Sequence, residues 1–292
     1  MLTVGHGPDY SHPVPRVSVV LPAWNNAGYI SDTVRSVLAQ TFTDFELVVA
    51  DHTSTDGTWQ LLQEFAADPR VRLLTTPAGG GAERNWNRVT EEATGELVKL
   101  VCGDDLLAPD MLAKQVAELD RHDDGVVLVT SPRDIVDASG RTVLRRVGLG
   151  GLRGRVPGGR AIRRSVLRGA NIFGEPCCVL FRRTTLEEAG LWHGNPGYLI
   201  DQATYCRVLL RGDLATVPEP LAAFRVSAGQ WSIQLAHEQA GSAAEMHRQL
   251  REMAPELISA LDVRVGDAMA SLRALQRRLF YAYLRASRQN SL

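Results

Sequence analysis

The sequence lacks a long apolar run, an excess of one charge and the pattern of a signal peptide. Its 292 residues carry 32 basic and 33 acidic side chains, a formal charge of −1, whereas a general nucleic-acid-binding protein needs a basic excess. No apolar run reaches the roughly 18 residues of a membrane-spanning helix. Residues 1–15 have neither a basic nor an apolar segment, and we interpret them as a flexible tail. A soluble, cytoplasmic protein without a transmembrane segment is predicted.

Cysteine is also scarce. The four cysteines, at positions 102, 177, 178 and 206, form no CxxC pair and no Cys/His spacing of the kind that binds structural zinc. Cys177 and Cys178 lie within an apolar run, where we expect a strand that points them to opposite faces. Buried, reduced thiols are therefore predicted.

Four short apolar segments alternate with amphipathic segments in the first half of the chain. We expect Asn25 or Asn26 to cap the first helix. Continuous apolar strands that alternate with helices indicate an α/β fold with a mostly parallel, Rossmann-like central sheet, buried on both faces. The predicted strands span 17–22, 45–50, 71–74 and 97–101.

The second half is less regular. We expect one domain over 16–230, with one half at 16–131 and another at 132–230, followed by a C-terminal helical extension at 231–292. The apolar stripe of this extension is interpreted as a cover for the core or as a homodimer face, rather than as a membrane anchor. The predicted elements are helices at 109–121 and 202–211, strands at 125–130, 179–182 and 221–226, and a hairpin turn at 137–140.

Polar residues follow the predicted parallel strands at their carboxyl ends, where such sheets bind ligands. Asp51 ends the second strand, and Asp104 and Asp105 follow the fourth. Adjacent carboxylates suit Mg²⁺ or Mn²⁺ that also holds a diphosphate, although a solvated turn has the same sequence. Arg84 offers a guanidinium suited to phosphate. Because these residues lie at one edge of the predicted sheet, they predict a site there for a metal and a diphosphate.

These segments resemble the inverting glycosyltransferases of family 2, which have the GT-A fold. The resemblance rests on VSVVLPAWNNAGYISDTVRSVLAQTFTDFELVVADHTSTDGT and GAERNWNRVTEEATGELVKLVCGDDLLAPDML, and more weakly on GEPCCVLFRR and GYLIDQATYCRVLLRGDLATVPEPLAAFR. It covers residues 16 to about 230, and it implies that 16–131 form the nucleotide-sugar half of the domain and 132–230 the acceptor half. It implies a transferase that moves a sugar from a nucleoside diphosphate to a hydroxyl group.

The resemblance also implies roles for individual residues. Asp105 matches the direct ligand of Mg²⁺ or Mn²⁺ in the DxD region. Asp201 matches the catalytic base, and Glu175 is the competing candidate for base or for orienting the acceptor. The residues expected to bind the donor are Pro22, Ala23, Trp24, Asn25, Asp51, His52, Arg84 and Asp104. A base must accept the proton of the attacking hydroxyl, and we expect partial burial to raise the pKa of Asp201.

Two positions depart from the family pattern. His52 replaces an acidic residue, so that a UDP sugar and a dTDP sugar both remain candidate donors. Ser227 stands where the family often has histidine. A contact with the metal or the diphosphate could come instead from Ser227, Gln230 or Trp231, or could be absent.

Nine arginines and no acid occur in the stretch 138–174. We interpret most of it as a solvated, mobile loop at the acceptor side, and the alternative is a site for an anionic acceptor.

The resulting hypothesis is a metal-dependent inverting glycosyltransferase with a hydroxyl acceptor. The alternatives are a sugar nucleotidyltransferase and a catalytically inactive protein that binds nucleotide sugars. The first usually has a glycine-rich phosphate loop after the first strand, which residues 22–26 do not supply.

Overall fold

The computed structural model describes residues 14–194, 199–226 and 239–289, with side chains up to residue 278. The strands are β1 (Val17–Ala23), β2 (Phe45–Asp51), β3 (Val71–Thr75), β4 (Leu97–Leu100), β5 (Leu106–Leu107), β6 (Val126–Thr130), β7 (Arg133–Asp137), β8 (Thr142–Val147), β9 (Val179–Arg182), β10 (Asp213–Thr216) and β11 (Ala222–Val226). The helices are α1 (Ile30–Leu38), α2 (Thr58–Gln63), α3 (Gly81–Glu91), α4 (Met111–Asp120), α5 (Gly158–Arg168), α6 (Arg183–Glu188), α7 (Ile200–Leu209), α8 (Gln239–Met253) and α9 (Ala260–Gln289).

A seven-stranded sheet forms the core, in the order β10-β6-β9-β4-β1-β2-β3. The pairs β1–β2, β1–β4, β2–β3 and β6–β10 are parallel, and β9 runs antiparallel to both of its neighbours. Every residue of β1, β4 and β6 is buried, because helices cover both faces of the sheet. The mostly parallel α/β sheet predicted from the apolar runs is confirmed.

A second sheet of four strands, in the order β5-β11-β7-β8, stands at the edge that carries the polar residues. Its β7–β8 pair is the predicted hairpin. At the turn, Gly140 N donates to Asp137 O (2.9 Å) with Gly140 at φ +86, a backbone conformation that favours glycine. The carboxylate of Asp137 accepts from Ser139 N and Oγ, which closes the turn locally.

Two local expectations are wrong. The N-cap of α1 is Tyr29, and neither asparagine caps the helix through its side chain. The backbone oxygen of Asn26 accepts from Tyr29 N and Ile30 N, while its Oδ1 accepts from Trp24 N (2.9 Å). Cys177 and Cys178 lie in a 3-10 turn, Pro176–Cys178, rather than in a strand, because Pro176 supplies a φ suited to the first turn of a helix.

The stretch 138–174 is not a loop throughout, since it contains β8 and α5. Helix α5 buries Ala161, Ile162, Ser165 and Val166 against the body of the protein. Three of the nine arginines pair with carboxylates from other parts of the fold: Arg141 with Asp137, Arg155 with Asp123 and Asp213, and Arg163 with Asp262. Part of the arginine content therefore serves local structure.

The helical extension packs on the rest of the molecule through α5. A Cβ at Gly169, just after α5, would stand 2.2 Å from Ala270 N of α9, so the two segments are in direct backbone contact. Ile258 is buried, but Leu261, Leu272 and Leu275 are exposed. The extension thus covers the core through residues such as Met246, Leu250 and Ile258, whereas the three exposed leucines take no part in that cover. Among the helices described, none has the length and apolar character needed to cross a membrane.

Candidate active site

The loop after β1 is joined to the loop after β2 by hydrogen bonds. Asn25, at φ +50, donates from its N to Ser54 Oγ (2.9 Å) and accepts at Oδ1 from Thr55 N (2.8 Å). Asparagine tolerates this left-handed conformation better than most residues. Pro22 and Ala23 end β1 and are buried, whereas Trp24 is 62% exposed. The predicted donor-binding segment therefore ends in an exposed indole at the rim of the sheet.

Asp51 and His52 follow directly on β2 and are both buried. Asp51 Oδ2 accepts from Ser54 N (3.0 Å), while its Oδ1 is buried without a hydrogen-bond partner in the described ranges. His52 Nε2 lies 3.1 Å from Pro77 O and 3.0 Å from Gly79 O. Since both neighbours are acceptors, this nitrogen carries the proton. His52 thus holds the loop before α3, and Asp51 keeps an oxygen for another donor.

Asn85 on α3 is a buried residue that the sequence reasoning passed over. Its Oδ1 accepts from Thr76 Oγ1 (2.6 Å), and its Nδ2 donates to Ala50 O (3.1 Å) and Ala23 O (3.4 Å). It therefore ties together the carboxyl ends of β1 and β2 and the residue after β3. The signal was its position four residues before the buried Val89, on one helix face.

Arg84 precedes Asn85 and points the other way. Its guanidinium is at the surface, and Nη1 donates to Ala78 O (3.1 Å) in the loop before α3. A Cβ at Gly80 would meet the Arg84 Cδ at 2.6 Å, so the side chain lies across the loop backbone. The structure places this predicted donor-binding residue at the rim.

Asp104 and Asp105 follow β4, and both are buried. Asp105 Oδ1 accepts from Arg225 N (3.2 Å), while Asp105 Oδ2 is buried and has no hydrogen-bond partner in the part of the chain that the structure describes. Burial, together with the charges of Asp104 and Glu175, raises the pKa of Asp105 well above its usual value. Burial raises the pKa of Asp104 to about 6. The charge of Arg225 acts in the opposite direction on Asp104, but burial has the larger effect on its pKa.

Arg225 on β11 supports the Asp104-Asp105 segment from the second sheet. Its Nε donates to Asp104 O (3.0 Å), and its Nη1 donates to Asp137 O (3.3 Å) and Ala138 O (3.2 Å). The guanidinium carbon stands 4.6 Å from the ring centroid of Tyr29, within reach of a cation–π interaction. Ser227, Gln230 and Trp231, which were expected to contact the diphosphate, lie outside the described residues.

Glu175 forms a two-point ion pair with Arg133 of β7. Arg133 Nε and Nη2 stand 2.5 Å and 2.7 Å from Glu175 Oε2 and Oε1. Arg133 Nη1 also donates to Val147 O (3.1 Å) on β8. Sequence reasoning missed Arg133, because its partner is 42 positions away. The ion pair fixes the carboxylate through one hydrogen bond, at Oε1, whereas the close contact of Nε with Oε2 lacks the geometry of a hydrogen bond.

A buried lysine ties β4 to the segment that follows Glu175. Lys99 Nζ donates to Cys177 O (2.7 Å) and Val179 O (3.0 Å), and burial lowers the pKa of Lys99 to about 8. The strand that leads to Asp104 and Asp105 is thereby fixed against the chain that carries Glu175.

Asp201 lies in the first turn of α7. Its Oδ2 accepts from Asn171 Nδ2 (2.8 Å) and its Oδ1 from Gln202 N (2.7 Å). Although part of its surface is exposed, burial of the carboxyl group raises the pKa of Asp201 to about 7. This is the direction expected from the apolar residues before it, and such a carboxyl group can gain and lose a proton near neutral pH.

The charges of several carboxyl groups act on the thiol of Cys102. Burial and the charges of Asp105, Asp104, Asp201 and Glu175 raise the pKa of Cys102 well above its usual value. These four residues are therefore near enough to Cys102 for their charges to affect it. Asp51 stands at the end of β2, which is two strands away, or about 10 Å at the usual strand spacing. The sequence-predicted carboxyl groups thus occupy one edge of the sheet.

In the described ranges no three His, Cys, Asp or Glu side chains are grouped in a way that could hold a metal ion. The metal site expected from the sequence relies on Asp105 and would need further ligands beyond the described residues. Mg²⁺ is commonly bound in this way, by one or two carboxylates together with substrate phosphates and water.

Comparison with known proteins agrees with this architecture. The model of the family described as glycosyl transferase family 2 matches residues 18–190, more than half of the chain. The chain belongs to this family, and it is a glycosyltransferase. An uncharacterized protein of Mycobacterium tuberculosis, MT1568, is 33% identical over 223 residues, which cover 73% of this chain and 68% of that protein. Other curated relatives are matched over less than half of their own length.

Two solved structures share the fold. S. aureus TarS 1–349 in complex with UDP-GlcNAc has a TM-score of 0.67 and 20% identity, over 87% of this chain and 70% of that one. The mannosyltransferase PcManGT of Pyrobaculum calidifontis, in complex with GDP-Man and Mn²⁺, has a TM-score of 0.59 and 19% identity, over 95% of this chain and 82% of that one. The predicted GT-A glycosyltransferase fold is confirmed.

Proposed function

We propose that this glycosyltransferase transfers a sugar from a nucleoside diphosphate to an acceptor hydroxyl group, with inversion and with the help of a divalent cation. The observation that carries the proposal is the presence of two unlike carboxyl groups whose charges both act on Cys102. Asp105 has a buried oxygen without a hydrogen-bond partner among the described residues, and Asp201 has a pKa of about 7. The first suits a cation and the second suits a proton acceptor.

The donor class is supported from both the site and the comparisons. The two solved neighbours hold UDP-GlcNAc and GDP-Man, which are both nucleoside diphosphate sugars. In this chain the buried Asp51 Oδ1 is an acceptor for an N–H of the base or a hydroxyl group of the ribose. The exposed indole of Trp24 lies at the same rim. UDP and dTDP sugars are the first donors to test.

Mg²⁺ or Mn²⁺ fits the chemistry of Asp105. Its Oδ2 has no hydrogen-bond partner among the described residues, and burial raises its pKa, so a nearby cation would favour the ionised carboxylate. Asp105 would hold the ion directly, and Asp104 would contact the ribose or a water molecule. A bound ion supplies positive charge that offsets the charge of the departing diphosphate.

Asp201 is the better of the two candidate bases. Its pKa of about 7 makes it available as a carboxylate that gains the proton of the attacking hydroxyl group. The carboxylate of Glu175 is paired with the guanidinium of Arg133 and accepts a hydrogen bond from it at Oε1, an arrangement that suits a residue which orients the acceptor. One base and one direct displacement give inversion at the anomeric carbon.

Donor turnover by Asp105→Asn tests the proposal. With UDP or dTDP sugars and Mn²⁺, we expect the wild-type protein to hydrolyse or transfer the sugar, and the variant to lose the metal-dependent rate. Asp124→Asn is a matched control, because Asp124 is almost fully exposed and pairs with Arg182 at the surface. A folded Asp105→Asn variant that keeps the wild-type rate would show that the metal assignment is wrong.

The configuration of the product tests inversion separately. Proton NMR of the first transferred sugar should show an anomeric configuration opposite to that of the donor. Retained configuration would instead require two successive displacements and would contradict the role given to Asp201.

A further inference from the structure

Helix α9 presents an apolar stripe to solvent. Leu261, Val265, Leu272 and Leu275 are 67%, 40%, 46% and 53% exposed. At 3.6 residues per turn these four positions fall within an arc of about 80° on the helix. Scattered exposed apolar residues are ordinary, but a continuous stripe marks a surface that binds something.

The stripe is not the face that holds α9 on the protein. The opposite face consists of small buried residues, Gly266, Ala270 and Ala274. A Cβ at Gly266 would stand 2.8 Å from Val166 O of α5, so this face is in close contact with the body. Helix α9 therefore packs on the protein through its face of small residues, and this packing leaves the apolar stripe exposed.

The charges beside the stripe are positive. Arg264 and Arg278 are exposed, whereas both acids of the described part of α9 are engaged with the body of the protein. Asp262 pairs with Arg163 (2.9 Å), and Asp267 accepts from His247 Nδ1 (2.8 Å). The solvent-facing side of α9, as far as its side chains are described, combines apolar residues with arginine.

A pocket beside the start of α9 adds Arg251, and it also holds Arg248, which pairs with Glu245. It has a volume of about 360 Å³ and is lined by Arg248, Arg251, Glu252, Pro255 and Val263. Val263 belongs to α9 and follows Leu261 by two residues. Guanidinium groups at the end of an apolar stripe are suited to the phosphate of a lipid headgroup.

We propose that this face of α9 docks the protein on a membrane surface that contains anionic lipid, with the helix lying in the plane of the interface. An amphipathic helix with apolar residues on one side and arginine beside them binds such surfaces through buried apolar area and electrostatic attraction. A second copy of the chain fits less well, because a two-fold interface would bring the same arginine-bearing surface against itself. The inference does not depend on the donor or the metal.

Vesicle flotation with the full chain tests the proposal. We expect binding to vesicles of phosphatidylcholine with phosphatidylglycerol, weak binding to phosphatidylcholine alone, and a loss of binding at high salt. The double variant Leu272→Ser/Leu275→Ser should weaken binding by about tenfold or more, from the lost apolar burial. Arg264→Gln and Arg278→Gln should each weaken it by about fivefold. Leu144→Ser, at a residue 45% exposed on β8, is the matched control and should leave binding unchanged.

Three results would overturn the proposal: equal binding to neutral and anionic vesicles, no vesicle binding, or binding that the leucine pair does not affect. Light scattering could give a fourth contradicting result. In it the wild-type protein is a dimer and the double variant is a monomer, while vesicle binding of the variant stays at the wild-type level. Donor turnover without an added membrane should be the same in all these variants, which separates this proposal from the proposed function.

Discussion

At the scale of single residues, Asp201 combines burial with a negative charge. Its pKa is 3.8 in the unfolded reference and about 7 in the folded protein, so the folded state binds more protons than the unfolded state between these values. Stability therefore falls as the pH rises through this range. The fold bears this cost at the residue proposed to accept the proton of the acceptor.

Asp201→Asn should remove that cost. Relative to the wild type, the free energy of unfolding of the variant should increase as the pH rises from about 4 to 7, by about 4 kcal/mol at most. Urea denaturation at pH 4.5 and pH 8 measures the difference, and transfer activity should be lost by at least about 100-fold. A stability difference that is the same at both pH values would mean that the Asp201 carboxyl group is not perturbed.

Asn171 also affects the pKa of Asp201, through a hydrogen bond. Its Nδ2 donates to Asp201 Oδ2 (2.8 Å) and to Gly174 O (2.9 Å), and a hydrogen bond to a carboxylate favours the ionised form. In Asn171→Ala the acid limb of the kcat/KM profile should move to higher pH, by about one unit.

Asn87→Ala is the control for Asn171→Ala. Asn87 is a partly buried amide that bonds to the backbone of Trp192. Its variant should leave the position of the acid limb where it is. If both variants change the rate equally and neither moves the acid limb, Asn171 has only a structural role.

At the scale of elements, the loops after β1 and β4 meet at Gly103. A Cβ at this position would stand 2.6 Å from Asn26 Oδ1, and that oxygen accepts from Trp24 N. The absence of a side chain at Gly103 therefore allows the predicted donor loop to approach Asp104 and Asp105.

Gly103→Ala should push the two loops apart. Crowding of this kind typically costs about 1–3 kcal/mol, so the Kd of UDP or dTDP with Mn²⁺, measured by calorimetry, should rise by about tenfold or more. Gly28→Ala changes a glycine in the loop before α1 that has no neighbouring atom within 4 Å of an added Cβ, and it should have little effect. Equal affinities for the two variants would separate Gly103 from nucleotide binding.

The elements differ in how well the sequence predicts them. Strands β1, β2, β4 and β6 are continuous apolar runs buried on both faces, so their period and length identify them. Helix α5 was missed, because Pro157 before it and the two glycines and four arginines within it hide a short buried stripe. Pattern alone does not distinguish such a helix from a loop.

The residues of the candidate site also differ in how well the sequence predicts their positions. Asp51 and Asp104-Asp105 could be placed from the strand ends that precede them, since ligands bind at that edge of a parallel sheet. Helical spacing could place Asn85 on a buried face, but not against its partner Ala23. Arg133 and Arg225 could not be placed, because their partners Glu175 and Asp104 are distant in sequence. Hydrogen bonds between distant segments leave no periodic signal in the chain.

At the scale of the whole molecule, the C-terminal helices are attached through a contact that leaves no room for a side chain. Gly169 has φ +54, and an added Cβ would stand 2.2 Å from Ala270 N and 2.6 Å from Met269 C on α9. The Arg163–Asp262 ion pair lies at the same interface between α5 and α9. Backbone atoms cannot move aside as a flexible side chain can, so this contact is a sensitive point of attachment.

Gly169→Ala should therefore loosen α9 while the central sheet stays folded. Hydrogen exchange followed by mass spectrometry should show faster exchange in α9 and unchanged protection in β1, β2 and β4, because local opening can occur below the global unfolding free energy. Gly154→Ala is the control that separates backbone strain from contact with Ala270. Gly154 has φ +61 but no atom within 4 Å of an added Cβ. An alanine there should therefore cost only the roughly 1 kcal/mol of a left-handed backbone conformation. If both variants loosen α9 equally, backbone strain rather than contact with Ala270 accounts for the effect.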